Sequence, residues 1–275
     1  MTVDRAALLK AVGRLVVKVG SSTLTHKGKG LDYARLERLV REIADLVGQG
    51  KDVILVTSGA IATGALRLNK TGKSKDMGKK QALAAVGQGI LIGAYAKLFA
   101  EYGLNVGQVL LTRDDLDAPE RRANARRTLR QLFRWETVPV INENDSVAVE
   151  EIRWGENDTL SARVAELVRA DLLLLLTDTP GLFSADPRLD QAAVFLPVVV
   201  EITPEIVAAA GGTGSAVGSG GMATKLEAAR IATAAQAVVV IADGSVPGII
   251  GEVLAGRAGT FFLPQASKKT RSEGE

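Results

Sequence analysis

The run Leu172-Leu-Leu-Leu-Leu176-Thr177-Asp178 decides the fold. Five consecutive leucines have no polar face to offer solvent, so a strand built from them must be covered on both sides. Such runs are typical of a parallel sheet sandwiched between helix layers. Similar short apolar runs occur at Leu15–Val19, Val53–Thr57, Val106–Leu111, Val138–Ile141 and Val238–Ile241, each ending near Gly, Asp, Asn, Ser or Thr. Between most of them lie segments of helical periodicity at Tyr33–Gly48, Lys79–Tyr102, Glu120–Phe133, Thr159–Ala170 and Met222–Ala235. Strands alternating with helices predict a three-layer αβα sandwich around a mainly parallel sheet. In such folds ligands bind beyond the carboxyl ends of the strands, so the residues after each run carry the functional reading.

Those residues are unusually polar or glycine-rich. The first run closes in Lys18-Val-Gly20-Ser21-Ser22, and after the second comes Ser58-Gly59-Ala60, which opens a helix. Both turns suit an anion, through backbone approach at glycine and free N–H groups at a helix start, although Ser58 could equally be an ordinary cap. The fourth run ends in Asn142-Glu-Asn-Asp145-Ser146. A carboxylate such as Asp145 there is the natural partner of an amino acid's ammonium group, with an Asx-rich turn as the simpler reading. Glu156-Asn157-Asp158-Thr159 begins the next helix, and an aspartate near two lysines could hold them in place and keep them protonated. Thr177 and Asp178 are expected at the rim of the site. The stretch from Gly211 to Lys225 is the strongest phosphate-binding signal, because so many glycines before a helix are costly to order without a ligand to hold.

Composition removes whole classes of chemistry. The chain of 275 residues has no cysteine and a single histidine, His26. Thiolate nucleophiles, Cys-ligated zinc and histidine acid/base catalysis have almost no material here. A nucleophile that needs no deprotonation, such as a carboxylate, fits that deficit. A net charge of +3 permits a small anionic ligand but does not argue for nucleic acid. The lysines between Lys70 and Lys80 and the arginines between Arg121 and Arg130 read as solvated surface or a subunit contact. No apolar stretch is expected to approach the length of a membrane span, no leader is evident at the start, and a cytoplasmic location is expected. Gly72-Lys73-Ser74 lacks the first glycine of a Walker A loop. Gly218-Ser-Gly220-Gly-Met-Ala223 fits the loose dinucleotide pattern, with Asp243 downstream, but no strand closely precedes it.

Taken together, Val16–Leu24 (VVKVGSSTL), Val56–Gly64 (VTSGAIATG), Pro139–Ala148 (PVINENDSVA), Glu156–Ala162 (ENDTLSA), Leu174–Pro187 (LLLTDTPGLFSADP) and Gly218–Lys225 (GSGGMATK) resemble the amino-acid kinase family, most closely its glutamate-phosphorylating members. The resemblance implies one kinase domain over residues 1–263, with a substrate lobe to about residue 170, a nucleotide lobe beyond it, and a disordered tail over residues 264–275. It implies phosphorylation of the L-glutamate γ-carboxylate by ATP, as the first step of proline biosynthesis, with Mg²⁺ carried on the nucleotide and no protein metal site. Lys18 and Lys225 would hold the moving phosphoryl group and Asp158 would organise them. Ser58, Gly59, Ala60, Asn142, Asp145 and Asn157 would bind glutamate. Lys18, Thr177, Asp178 and the loop Ser219, Gly220, Gly221, Met222, Ala223, Thr224 and Lys225 would bind ATP. It further implies a homo-oligomer (dimer or tetramer), proline as feedback inhibitor near Asp115 and 142–151, and handoff to glutamyl phosphate reductase. No membrane or nucleic-acid partner is expected, since the PUA domain that many such kinases carry has no room in this sequence.

Overall fold

A computed structural model describes residues 3–26, 30–70, 76–147, 156–210 and 221–265. Eight strands form one sheet: β1 (Arg14–Val19), β2 (Asp52–Val56), β3 (Asn105–Leu111), β4 (Thr137–Glu143), β5 (Leu172–Thr177), β6 (Val198–Val199), β7 (Val238–Asp243) and β8 (Thr260–Phe262). Their order is β3-β4-β2-β1-β5-β7-β8-β6. β1 to β5 and β7 pair in parallel, so their carboxyl ends share one edge. β8 returns antiparallel to β7 and pairs in parallel with β6. β6 falls within Val198–Val200, the strand candidate nearest before the glycine-rich stretch, whereas β8 is too short to show a period.

The leucine run sits where the pattern requires. β5 lies between β1 and β7, and all six of its residues are buried. Leu172, Leu174 and Leu176 enter one core, Leu173 and Leu175 the other. The first core is covered by α1 (Tyr33–Gly48), α3 (Met77–Ala100) and α7 (Ile249–Leu254), through residues such as Leu36, Val40, Ile43, Leu91, Tyr95 and Ile250. The second is covered by α4 (Pro119–Arg134), α5 (Glu156–Val168) and α6 (Met222–Ala234), through Leu129, Leu160, Val164, Leu226 and Ala229. These are the three expected layers, and α1 has the bounds its periodicity predicts.

Between β2 and α3 lies the short helix α2 (Ala60–Arg67). A Cβ on Gly64 would fall on the Leu83 carbonyl, and one on Gly87 on the Ala60 carbonyl. Glycine at both positions lets α2 and α3 touch backbone to backbone and anchors the turn before α2. By length and composition α3 could cross a membrane, contrary to the expectation that no segment approaches that length. Lys79, Lys80 and Lys97 near its ends hide it from a run-length reading. In the fold Leu91, Tyr95 and Phe99 cover the sheet and Gly87 meets α2, which is the packing of a core helix.

Candidate active site

Because the long strands run parallel, the polar residues after them converge on one edge. Lys18 is the penultimate residue of β1 and points to the same face as Val16, toward α5 and α6. Both helices begin at that edge. Asp158 is the third residue of α5 and Lys225 the fourth of α6. Lys18 Nζ lies 2.6 Å from Asp158 Oδ1, and Lys225 Nζ lies 3.2 Å from Asp158 Oδ2. One carboxylate thus bridges two ammonium groups 207 positions apart in the chain (225 minus 18). Thr224 Oγ1 donates to Asp158 Oδ2 at 2.9 Å, and Ser161 Oγ donates to the Asp158 carbonyl at 2.6 Å.

All three charged side chains are buried, Asp158 completely. Burial alone would raise the Asp158 pKa, but the fields of Lys18 and Lys225, with hydrogen bonds from Lys18 and Thr224, hold it below the usual carboxylate value. The triad carries two positive charges against one negative, an excess of cation in a dry site, and an anion is what completes it. α6 follows Gly221, whose side-chain position is open and which offers no capping side chain, and a helix start of this kind favours an anion. Gly20 also belongs here, since a Cβ on it would lie 3.7 Å from Lys18 Nζ.

Asn157, adjacent to Asp158, faces a second cluster. Its Nδ2 donates to Ser58 Oγ at 2.9 Å, and its Oδ1 accepts from the Glu143 N–H at 3.2 Å. The same N–H also reaches Asn142 Oδ1 at 3.0 Å. Asn157 and Asp158 lie inside α5 and do not cap it. Ser58 does not cap α2 either: Gly59 holds that position with φ 98°, a left-handed conformation suited to glycine, and a Cβ there would meet Ser21. The turns after β1 and β2 therefore touch, with Ala60 buried behind them.

At the end of β4, Asp145 is pushed up to about 6 by burial. Glu143 is pushed up to about 7, by burial and then by the Asp145 charge. No described cation lowers either one. The neighbouring strand end carries Asp115, whose carboxylate accepts from the Thr112 N–H and hydroxyl at 2.7 Å each, and Asn144 donates to the Leu111 carbonyl alongside.

On the other side of β1, Thr177 ends β5 and is buried, while Asp178 is exposed and accepts from Thr177 Oγ1 at 3.1 Å. Met222, Ala223 and Thr224 form the first turn of α6, half-buried beside the lysines. Ser219 and Gly220 fall outside the described residues, as does the segment 148–155. Glu143 and Gln88 belong to the site and were not singled out as binding residues from the sequence. The first had a visible signal in its polar strand-end run. The second, on α3, had none. Among the described residues no group of three or more acidic or histidine side chains gathers as a metal site. A cavity of about 600 Å³ opens at the opposite, amino-terminal edge of the sheet, lined by Asp45, Lys51, Asp52, Tyr102 and Phe133 among others, and holds none of these groups.

The model of the amino acid kinase family matches residues 13–243. A glutamate 5-kinase of Moorella thermoacetica is 57% identical over 95% of this chain and 69% of its own length. That of Clostridium acetobutylicum is 49% identical over 95% of this chain and 98% of its own. Among solved structures, UMP kinase from Ureaplasma parvum superposes with a TM-score of 0.63 at 14% identity, covering 92% of this chain and 99% of that one. The isopentenyl phosphate kinase of T. acidophilum gives 0.62 at 18%, covering 90% and 99%. At such identities the structural likeness speaks to the fold.

Proposed function

The chain belongs to the amino acid kinase family, and we propose that it transfers the γ-phosphoryl group of ATP to the γ-carboxylate of L-glutamate. The observation that carries this reading is the opposite polarity of the two ends of one cleft. Lys18 and Lys225 flank Asp158 at one end, and at the other no cation among the described residues offsets Glu143 and Asp145. Asn157 and Asp158, consecutive in α5, connect the two. An amino acid placed along that line sets its ammonium group against the carboxylates and its side-chain carboxylate toward the lysines. The curated relatives, glutamate 5-kinases at about half identity or better, give that amino acid its name.

The reaction asks little covalent chemistry of the protein. A γ-carboxylate with a pKa of ~4.3 is already ionised at neutral pH, so no general base is required. Its oxygen attacks the γ-phosphorus, the bond to the β,γ-bridging oxygen breaks, and γ-glutamyl phosphate and ADP result. Charge gathers on the phosphoryl and bridging oxygens. Lys18, Lys225 and the N–H groups at the start of α6 are placed to stabilise it, while Asp158 holds the two ammonium groups at fixed positions before substrate arrives. Mg²⁺, borne on the nucleotide, would neutralise phosphate charge.

We assign acceptor binding to the half-sheet β3-β4-β2-β1, with Ser58, Gly59, Asn142, Asp145 and Asn157. We assign nucleotide binding to β5 and β7, with Thr177, Asp178 and the residues leading into α6. Proline shares the α-carboxylate and a cationic nitrogen with glutamate and would compete at the Glu143–Asp145 end. The decisive experiment is ADP release with Mg-ATP across glutamate, aspartate, acetylglutamate and UMP, with hydroxylamine trapping of the acyl phosphate. Glutamate-dependent ADP release with a trapped hydroxamate is expected. Release with another acceptor and none with glutamate would overturn the assignment.

A further inference from the structure

α3 buries an almost wholly apolar face, with Leu91, Ala94, Tyr95 and Phe99 in the core and Gly87 against α2, and into that face it inserts one amide, Gln88. Gln88 is only 9% exposed, and a buried amide is costly unless its hydrogen bonds are met. Its partner is the Asn142 side chain, which is 1% exposed: Asn142 Nδ2 donates to Gln88 Oε1 at 2.7 Å. We propose that Gln88 is a positioning residue, which holds the Asn142 amide in the orientation that the Glu143 N–H requires and so keeps the hydrogen bonds at the acceptor end of the cleft in place. The inference rests on the function proposed above.

The directions follow from one unambiguous donor. The Glu143 backbone N–H can only donate, so both oxygens it meets, Asn142 Oδ1 at 3.0 Å and Asn157 Oδ1 at 3.2 Å, must accept. Asn142 therefore turns its NH₂ toward α3, where only an acceptor can receive it. Gln88 supplies that acceptor, and an apolar residue would not. Asn157 likewise turns its NH₂ to Ser58 and donates to Oγ at 2.9 Å. Having accepted there, the Ser58 hydroxyl directs its own proton elsewhere. It is left, with the second N–H of each asparagine amide, as a donor to a carboxylate, while the acceptors of the cleft are Glu143 and Asp145. Without Gln88 the Asn142 side chain has a buried donor without a partner and is free to rotate into the cleft, where it disturbs the shared Glu143 N–H and, through it, Asn157 and Ser58. Gln88 itself need touch no ligand.

Steady-state kinetics of Gln88→Met and Gln88→Glu, each with glutamate and Mg-ATP varied separately, test this. Methionine keeps the volume and removes the acceptor, whereas glutamate keeps an accepting oxygen at the same reach. Gln88→Met is expected to raise KM for glutamate about ten-fold, the scale of one oriented hydrogen bond to a charged group, with kcat and KM for ATP within about two-fold. Gln88→Glu is expected to restore KM for glutamate to within about three-fold of the starting protein. Should Gln88→Met fail to fold, Gln88→Asn, which withdraws the oxygen by one methylene without adding apolar bulk, must show the same selective rise in KM. Parallel changes in both KM values and kcat, an unchanged KM for glutamate, or a Gln88→Glu protein as impaired as Gln88→Met would overturn the positioning role. Absence of glutamate turnover in the unaltered chain removes the proposed function and this inference with it. Turnover there with an unaffected Gln88→Met protein removes the inference alone.

Discussion

The two ends of the cleft solve the problem of buried charge in opposite ways. At the lysine end each ammonium group has a carboxylate oxygen within 3.2 Å, and Asp158 is held ionised by its partners. At the Glu143–Asp145 end burial acts with no opposing cation among the described residues, and both carboxyl groups are pushed toward neutrality. The lysine end is ordered before any substrate arrives, as electrostatic stabilisation of a transition state requires. The acidic end favours a ligand that brings a positive charge. The difference assigns separate energetic roles: changes at the first end should appear in turnover, and changes at the second in acceptor affinity.

The sharpest way to break that division is Lys225→Ala. If Lys225 stabilises charge in the transition state, kcat measured by ADP release falls at least ~100-fold, the scale of losing one such donor. KM for glutamate should change far less. Near-normal turnover would remove the division altogether. Asp145→Ala is the complementary experiment, with a smaller expected effect. A hydrogen bond to a charged group is worth about 1.5–3 kcal/mol, so KM for glutamate should rise about 30-fold, with KM for ATP within about two-fold. Equal changes in both KM values would place Asp145 in the general architecture of the cleft and not against the ammonium group.

Much of this was legible in the sequence, for identifiable reasons. The five leucines of β5 admit only a strand covered on both faces, and parallel strands carry whatever follows them to one edge. Reading the ends of the runs located Lys18, Ser58, Asn142, Asp145 and Thr177 at that edge, and reading the polar start of the following helix added Asn157 and Asp158. What stayed hidden depends on contacts rather than on pattern. Gly64 and Gly87 look like ordinary helix glycines until α2 and α3 lie against each other. β8 is three residues long and turns back antiparallel, which no periodicity announces. Gln88 reads as one polar residue in an apolar helix, and its meaning comes from Asn142, which is 54 positions away. Glu143 was visible in a polar run, but its raised pKa arises from burial that the sequence does not specify.

That raised pKa gives the smallest and most specific test. Glu143 titrates near 7 and Asp145 near 6, against ordinary values of 4.5 and 3.8. In the free protein both therefore take up protons as the pH falls from 8 to 5, whereas a bound ammonium group favours their ionised forms and lowers both values. KM for glutamate should be flat above about pH 7.5 and climb as pH drops through 7 and then 6, by up to about ten-fold per unit where a single group dominates. Near pH 6.5 binding should release protons, measurable by calorimetry in two buffers of different ionisation enthalpy. The stability of the ligand-free protein runs in the opposite direction to binding: a carboxyl group whose folded value is raised stabilises the fold below about pH 4, and that contribution is lost as pH rises through 6 and 7. Asp158, lowered, acts the other way, but only at pH values below its ordinary range near 3.8, outside this window. A glutamate KM that stays constant from pH 8 to 5.5, with no proton released on binding, would mean that the ammonium group does not sit between Glu143 and Asp145, and the contrast between the two ends would lose its functional meaning.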